Sequence, residues 1–152
     1  MDKKFQEYKG LDLSQVNKDV LKEWESNNTF EQSLKNREGH PSFVFFEGPP
    51  SANGMPGIHH VMARTIKDII CRYKTLQGFL VERKAGWDTH GLPVELGVEK
   101  KLCITKENIG KTISVADYNK ECRSDVMKFT RELEDLTNKM GYWVDMSNPY
   151  IT

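Results

Sequence analysis

Two adjacent histidines, His59 and His60, close a loop rich in glycine and proline that runs Pro49-Pro50-Ser51-Ala52-Asn53-Gly54-Met55-Pro56-Gly57-Ile58. A neutral imidazole donates one ring N–H, and a loop at a helix N-terminus adds unpaired backbone N–H groups and the positive end of the helix dipole. Together these favour binding of phosphate oxygens and stabilisation of negative charge that develops on them, without any proton transfer. The same two histidines also suit a plain reading as polar residues that cap a helix.

Such a site needs a strand to deliver the loop and a helix to receive it. Phe43, Val44, Phe45 and Phe46 form an aromatic and β-branched run bounded by Pro41-Ser42 and Gly48-Pro49-Pro50, which predicts a strand buried on both faces. Beyond the loop, Ile58, Val61, Met62, Thr65, Ile66, Ile69, Ile70 and Tyr73 keep helical spacing, with Arg64, Lys67, Asp68 and Lys74 on the opposite face and Gly78 as the terminator. Phe79-Leu80-Val81 leads into Glu82-Arg83-Lys84 and predicts a second strand. Strand, helix and strand in this order make a parallel crossover, which brings a loop leaving at Gly48 and another leaving at Gly86 to one sheet edge.

The remaining pattern is helical. Leu13, Val16, Val20, Leu21 and Trp24 mark an apolar stripe that Asp12 or Ser14 can cap, Trp24 reading as packing, and Phe30 and Leu34 suggest a short turn. The charged stretch 35–39 links it to the first strand. A helix opened by Pro93 carries Val94, Leu96 and Val98 partly buried, Ile104 to Lys111 form a loop, and Ser114 with Asp117 makes a capping box for one long helix through Leu133. The organisation expected is an N-terminal helical extension over 1–42 and an α/β nucleotide-binding unit over 43–152.

Composition narrows the classes. The chain has 152 residues, 38% hydrophobic and 29% charged, which suits one domain with a real core. Lys plus Arg and Asp plus Glu each number 22, so no basic surface announces a nucleic acid partner. Apolar runs are too short to span a membrane and the Met1-Asp2-Lys3-Lys4 start lacks a signal-peptide core, which makes the cytoplasm the expected location. Cys71, Cys103 and Cys122 lack CxxC spacing, so neither a disulfide framework nor a zinc site is expected.

The loop from Pro49 to His60 resembles the adenylate-binding HIGH signature of class I aminoacyl-tRNA synthetases, and Ala85-Gly86-Trp87-Asp88-Thr89-His90-Gly91-Leu92-Pro93-Val94-Glu95 resembles the second signature of their isoleucyl branch. Where the family has His, an apolar residue, Gly and His, this chain reads Gly57-Ile58-His59-His60, so His60 alone keeps a family histidine position. The resemblance covers nearly the whole chain and implies the first half of a Rossmann-like doubly wound parallel sheet. It implies ATP binding, with Mg2+ in the ATP complex, at Pro50, Asn53, Gly54, Gly57, His59 and His60, the two histidines being catalytic. It implies isoleucine binding at Gly48, Pro49, Asp88 and His90, with Asp88 holding the ammonium group and the Gly48-Pro49 turn lining the aliphatic pocket. No metal ligand is implied in this segment.

From the residues alone, Asp88 also reads as a helix cap and Trp87 as a core anchor. The family uses a further Lys-Met-Ser-Lys-Ser signature, which this chain does not contain; Thr137-Asn138-Lys139-Met140 is the nearest string. The expectation is therefore a fragment, inactive alone, of a longer, monomeric ATP-dependent ligase for isoleucine that contacts its tRNA mainly through other regions. A stand-alone small nucleotidyltransferase and a non-catalytic, synthetase-derived interaction module are the alternatives.

Overall fold

A computed structural model of the chain describes residues 10–152; the lysine-rich start lies outside the described residues. Helix α1 spans Leu13–Ser26 and is capped as its sequence requires, Asp12 accepting from the Gln15 N–H at 3.0 Å. Helix α2 covers Thr29–Lys35. Helix α3 spans Ile58–Leu76 and ends at Gly78, whose φ of +93° suits the left-handed terminator expected there. Strand β1 is Lys84–Trp87, followed by α4, Leu92–Leu102, with proline in its first turn. Helix α5 is Val115–Asp125, opened by Ser114, which accepts from the Asp117 N–H at 3.0 Å; α6 is Thr130–Met140 and β2 is Asp145–Ile151. No helix of the described residues is long and apolar enough to cross a membrane.

The sheet is small and parallel: Lys84 pairs with Asp145, Gly86 with Tyr150 and Trp87 with Ile151. Residues 42–51 run alongside the other edge and touch it through parallel bridges, Ser42 with Leu80 and Ser51 with Asp88. The Phe43 N–H donates to the Leu80 carbonyl and the Leu80 and Asp88 N–H groups donate to the Pro41 and Pro50 carbonyls, while the Arg83 and Trp87 carbonyls accept from Asp145 and Thr152. The parallel direction expected for the crossover is therefore present.

Several expectations need correction. Phe43–Phe46 is extended but forms no regular strand, and Phe46 is 88% exposed. A doubly buried strand needs a partner on each edge and cover on each face, and this segment has a partner on one edge. The second strand starts at Lys84 rather than Phe79 and includes Gly86, so its loop begins at Asp88. Leu96 is exposed, while Val94 and Val98 are buried. The long helix from Ser114 breaks into α5 and α6 because the Phe129 N–H turns away to the Ala52 carbonyl at 2.9 Å. Strand β2 carries no apolar alternation to reveal it, running Asp145-Met146-Ser147-Asn148-Pro149-Tyr150-Ile151.

The largest departure concerns α3, whose apolar face is outside. Ile58, Met62, Ile66, Ile69, Ile70 and Tyr73 are exposed, while Arg64, Cys71 and Thr75 are buried. The inner, polar face is stable because its charges find partners there. Asp68 accepts from Arg72 at 2.7 Å and from Arg83 at 3.1 Å. Arg72 lies 4.6 Å from the Trp24 ring and 3.9 Å from the Trp143 ring, joining α1 to the end of α6. Trp24 packs edge-on against Trp143 at 5.3 Å, so its reading as a packing residue holds.

Candidate active site

Both signature segments are anchored in one core. Ala52 of the first loop, Trp87 of the second and Leu133 of α6 pack together, with Met127 against them. Ala52 is fully enclosed, which fixes the middle of the loop, and its carbonyl accepts from Phe129. The Asp88 N–H donates to the Pro50 carbonyl at 3.0 Å, so the segments are hydrogen-bonded although 37 positions of register separate Ser51 from Asp88. Trp87 is buried in this cluster as a core anchor.

At the start of α3 the Gly57 N–H donates to His60 Nδ1 at 3.0 Å. A ring nitrogen that accepts this bond carries no proton, so the His60 proton sits on Nε2 and that N–H is the free donor. Burial pushes the His60 pKa below its ordinary 6.5, and the neighbouring His59 and Arg64 push it further. The ring is thereby held neutral. The His59 ring stacks at 4.0 Å, tilted by 40°.

Gly57 explains the altered signature. A Cβ at this position would meet His59 Cε1 at 2.9 Å and Nδ1 at 3.0 Å. The His59 ring therefore occupies space into which a side chain on residue 57 would project. A glycine at 57 and a histidine at 59 are sterically linked choices.

Asp88 Oδ1 accepts from the His90 N–H at 3.1 Å and lies 3.4 Å from Thr152 Oγ1. These bonds orient the carboxylate at the carboxyl end of β1. Thr152, but not Asp88 itself, also lines an apolar groove of about 610 Å³, with Phe43, Phe45, Pro49, Ala85, Gly86 and Tyr150 among others. Gly86 is required at its floor, since a Cβ there would lie 3.0 Å from Pro49 Cβ and 3.1 Å from the Tyr150 carbonyl. His90 lines a different, more polar cavity between α4 and α5, with Glu95, Tyr118 and Arg123. His59 and His60 line neither, so the structure joins Pro50 to Asp88 and Gly57 to both histidines but keeps His90 apart from the Pro49 groove. Asn53 is half-buried, whereas Gly48 and Gly54 lie exposed on the loop.

Sequence reasoning gave no site role to Glu47, Arg64, Arg83 and Tyr142, all at least partly buried around the loop. The signal for Glu47 was one acidic residue directly after an apolar run. The spacing sets Arg64 on the face of α3 opposite the isoleucines, and that face is the buried one. Among the described residues no cluster of three or more His, Cys, Asp or Glu is arranged to hold a metal ion.

Residues 19–152 match the model of the class I tRNA synthetases of the isoleucyl, leucyl, methionyl and valyl group. The chain belongs to this family. All 152 residues align with the isoleucine–tRNA ligase of Bacteroides fragilis at 76% identity and with that of Porphyromonas gingivalis at 74%, covering 13% of each relative. Isoleucine–tRNA ligase 2 of Bacillus anthracis is 51% identical over 133 residues, 88% of this chain and again 13% of the relative. The chain thus spans about an eighth of the length of the relatives it matches. Neither the small nucleotidyltransferase nor the interaction module is favoured by these family matches.

Proposed function

We propose that this chain is part of a cytoplasmic isoleucine–tRNA ligase and forms the first half of its Rossmann-like nucleotide site, with 1–42 as a helical extension. The observation that carries the reading is the hydrogen bond from the Asp88 N–H to the Pro50 carbonyl, which ties the end of β1 to the phosphate-type loop, whose Pro49 lines the apolar groove.

In the reaction, a carboxylate oxygen of isoleucine attacks the α-phosphorus of ATP, carried as its Mg2+ complex. The new O–P bond forms as the bond to the β-phosphate oxygen breaks, and pyrophosphate leaves. The acyl group then passes to the terminal ribose of the tRNA, which is held mainly by regions outside this chain. No protein nucleophile is needed; positioning and electrostatics lower the barrier.

His60 donates its Nε2–H to a phosphate oxygen, and His59, seated over Gly57, supplies the second imidazole that other family members place at position 57. Backbone at Pro50, Asn53, Gly54 and Gly57 lies under the nucleotide. Asp88 holds the substrate ammonium, and Gly48 and Pro49 face its aliphatic side chain. His90 orients Asp88 through its backbone N–H. A groove wall distinguishes isoleucine from valine by about 1–3 kcal/mol per methylene.

The test is amino-acid-dependent ATP–pyrophosphate exchange by the full-length polypeptide, which is expected to act as a monomer. Isoleucine should support exchange and leucine should not, and Asp88→Ala should lower the rate by on the order of 100-fold or more. Equal exchange with leucine, or full activity in Asp88→Ala, would sink the assignment. The 152-residue chain alone should show no exchange.

A further inference from the structure

Glu47 stands directly before Gly48-Pro49, yet its side chain is only 7% exposed. Oε1 accepts from Lys67 Nζ on α3, and Oε2 accepts from the Tyr142 hydroxyl just after α6. Arg64 is buried on the same helix, Glu47 is the neighbouring charge that favours its cationic form, and Nη1 has no protein partner among the described residues. Burial and the Glu47 carboxylate both raise the Tyr142 pKa, so the phenol stays protonated and donates. One carboxylate therefore ties together the segment that carries Gly48-Pro49, helix α3 and the chain leaving α6.

The spacing on α3 gives this clamp a function. His60, Arg64, Lys67 and Cys71 fall at i, i+4, i+7 and i+11, so they share the inner face. A helix is stiff, and Lys67 lies about 10 Å along the axis from His60 at 1.5 Å per residue. Sliding or turning α3 about Glu47 would carry His59 and His60 with it. A misplacement of about 1 Å in a reacting constellation costs on the order of 100-fold in rate.

We propose that Glu47 is a positioning residue: through Lys67 and Tyr142 it sets the height and rotation of the first turn of α3, and hence the two imidazoles, against the Gly48-Pro49 wall. This rests on the reading above in which those imidazoles meet phosphate. Glu47 borders the Pro49 groove, but both of its carboxylate oxygens are taken up by Lys67 and Tyr142, so it acts through them.

Removing Glu47 leaves Arg64 and Lys67 without their counter-charge, and that variant can fail to fold. The test therefore uses Lys67→Met, Lys67→Arg and Tyr142→Phe in the full-length polypeptide, with melting temperature measured for each. Lys67→Met and Tyr142→Phe should lower kcat of isoleucine-dependent exchange about 10-fold while KM for isoleucine stays within about twofold, and Lys67→Arg should recover most of the loss. A second readout is the rate of carbethoxylation of each histidine, with His40 and His90 as internal references. In Lys67→Met the rates at His59 and His60 should change by about threefold or more while the references hold. Unchanged kcat and unchanged histidine reactivity in folded Lys67→Met and Tyr142→Phe would overturn the clamp. If the unsubstituted protein shows no exchange, the ligase reading fails, and histidine reactivity alone then decides the clamp in either direction.

Discussion

His60 is poised by one hydrogen bond and by the charges around it. The Gly57 N–H to Nδ1 bond is lost if that nitrogen is protonated, and burial with His59 and Arg64 holds the folded pKa below 6.5. The unfolded chain therefore takes up this proton first as pH falls. Stability contributed here is fully present above pH 6.5 and declines as pH drops through that value toward the folded pKa. Melting temperature followed between about pH 5 and 8 should show this loss, and His60→Gln should flatten that part of the curve. At the neighbouring position, Gly57→Ala places a methyl against the His59 ring rather than against backbone. The ring can swing aside, so stability should fall by about 1 kcal/mol or less, while exchange by the full-length protein falls about 10-fold. His59→Gly should give a similar loss, and the double variant no more than either alone, because each removes the imidazole from the same place. Additive losses would show that His59 works from somewhere else.

The elements meet at Ala52, Trp87 and Leu133, and this small core decides how well the two loops stay together. Leu133→Ala should cost about 2–5 kcal/mol, since the side chain is fully enclosed and the loop backbone over it has little room to collapse. Denaturant midpoints measure this, and the loss should coincide with weaker burial of Trp87 by fluorescence. Only part of this arrangement was legible in the sequence. Local signals worked where one residue type answers one backbone need: Asp12 and Ser114 as caps, Gly78 at positive φ, Pro93 in a first turn. They failed where a distant group intervened. The break between α5 and α6 depends on a hydrogen bond from Phe129 to Ala52, and nothing in the periodicity near 126–129 encodes it. Strand β2 escaped because its pairing with β1, not its own composition, makes it a strand. At the site, the Asp88 and Pro50 neighbourhood followed from topology, whereas the place of His59 over Gly57 and the burial of Glu47 required side-chain positions.

For the molecule as a whole, α3 keeps its period but turns its apolar face outward. Ile58, Met62, Ile66, Ile69 and Ile70, with Val44 and Phe46 nearby in sequence to the same loop, leave more large apolar side chains in solvent than a soluble monomer usually tolerates in one helix face. Net charge is zero, so no long-range repulsion opposes contact between copies. The 152-residue chain by itself should therefore associate, with sedimentation coefficients that rise with protein concentration and fall with mild denaturant. Ile66→Glu with Ile69→Lys should return it to monomer without lowering the melting temperature, because both positions already face water. In a polypeptide of the relatives' length, of which the chain spans 13%, the same pair has the opposite expected effect. If further chain covers this face, two charges are buried there and the melting temperature should drop by several degrees. An equal, negligible effect in both contexts would mean that the apolar face of α3 stays in water throughout, and that its periodicity reflects something other than burial.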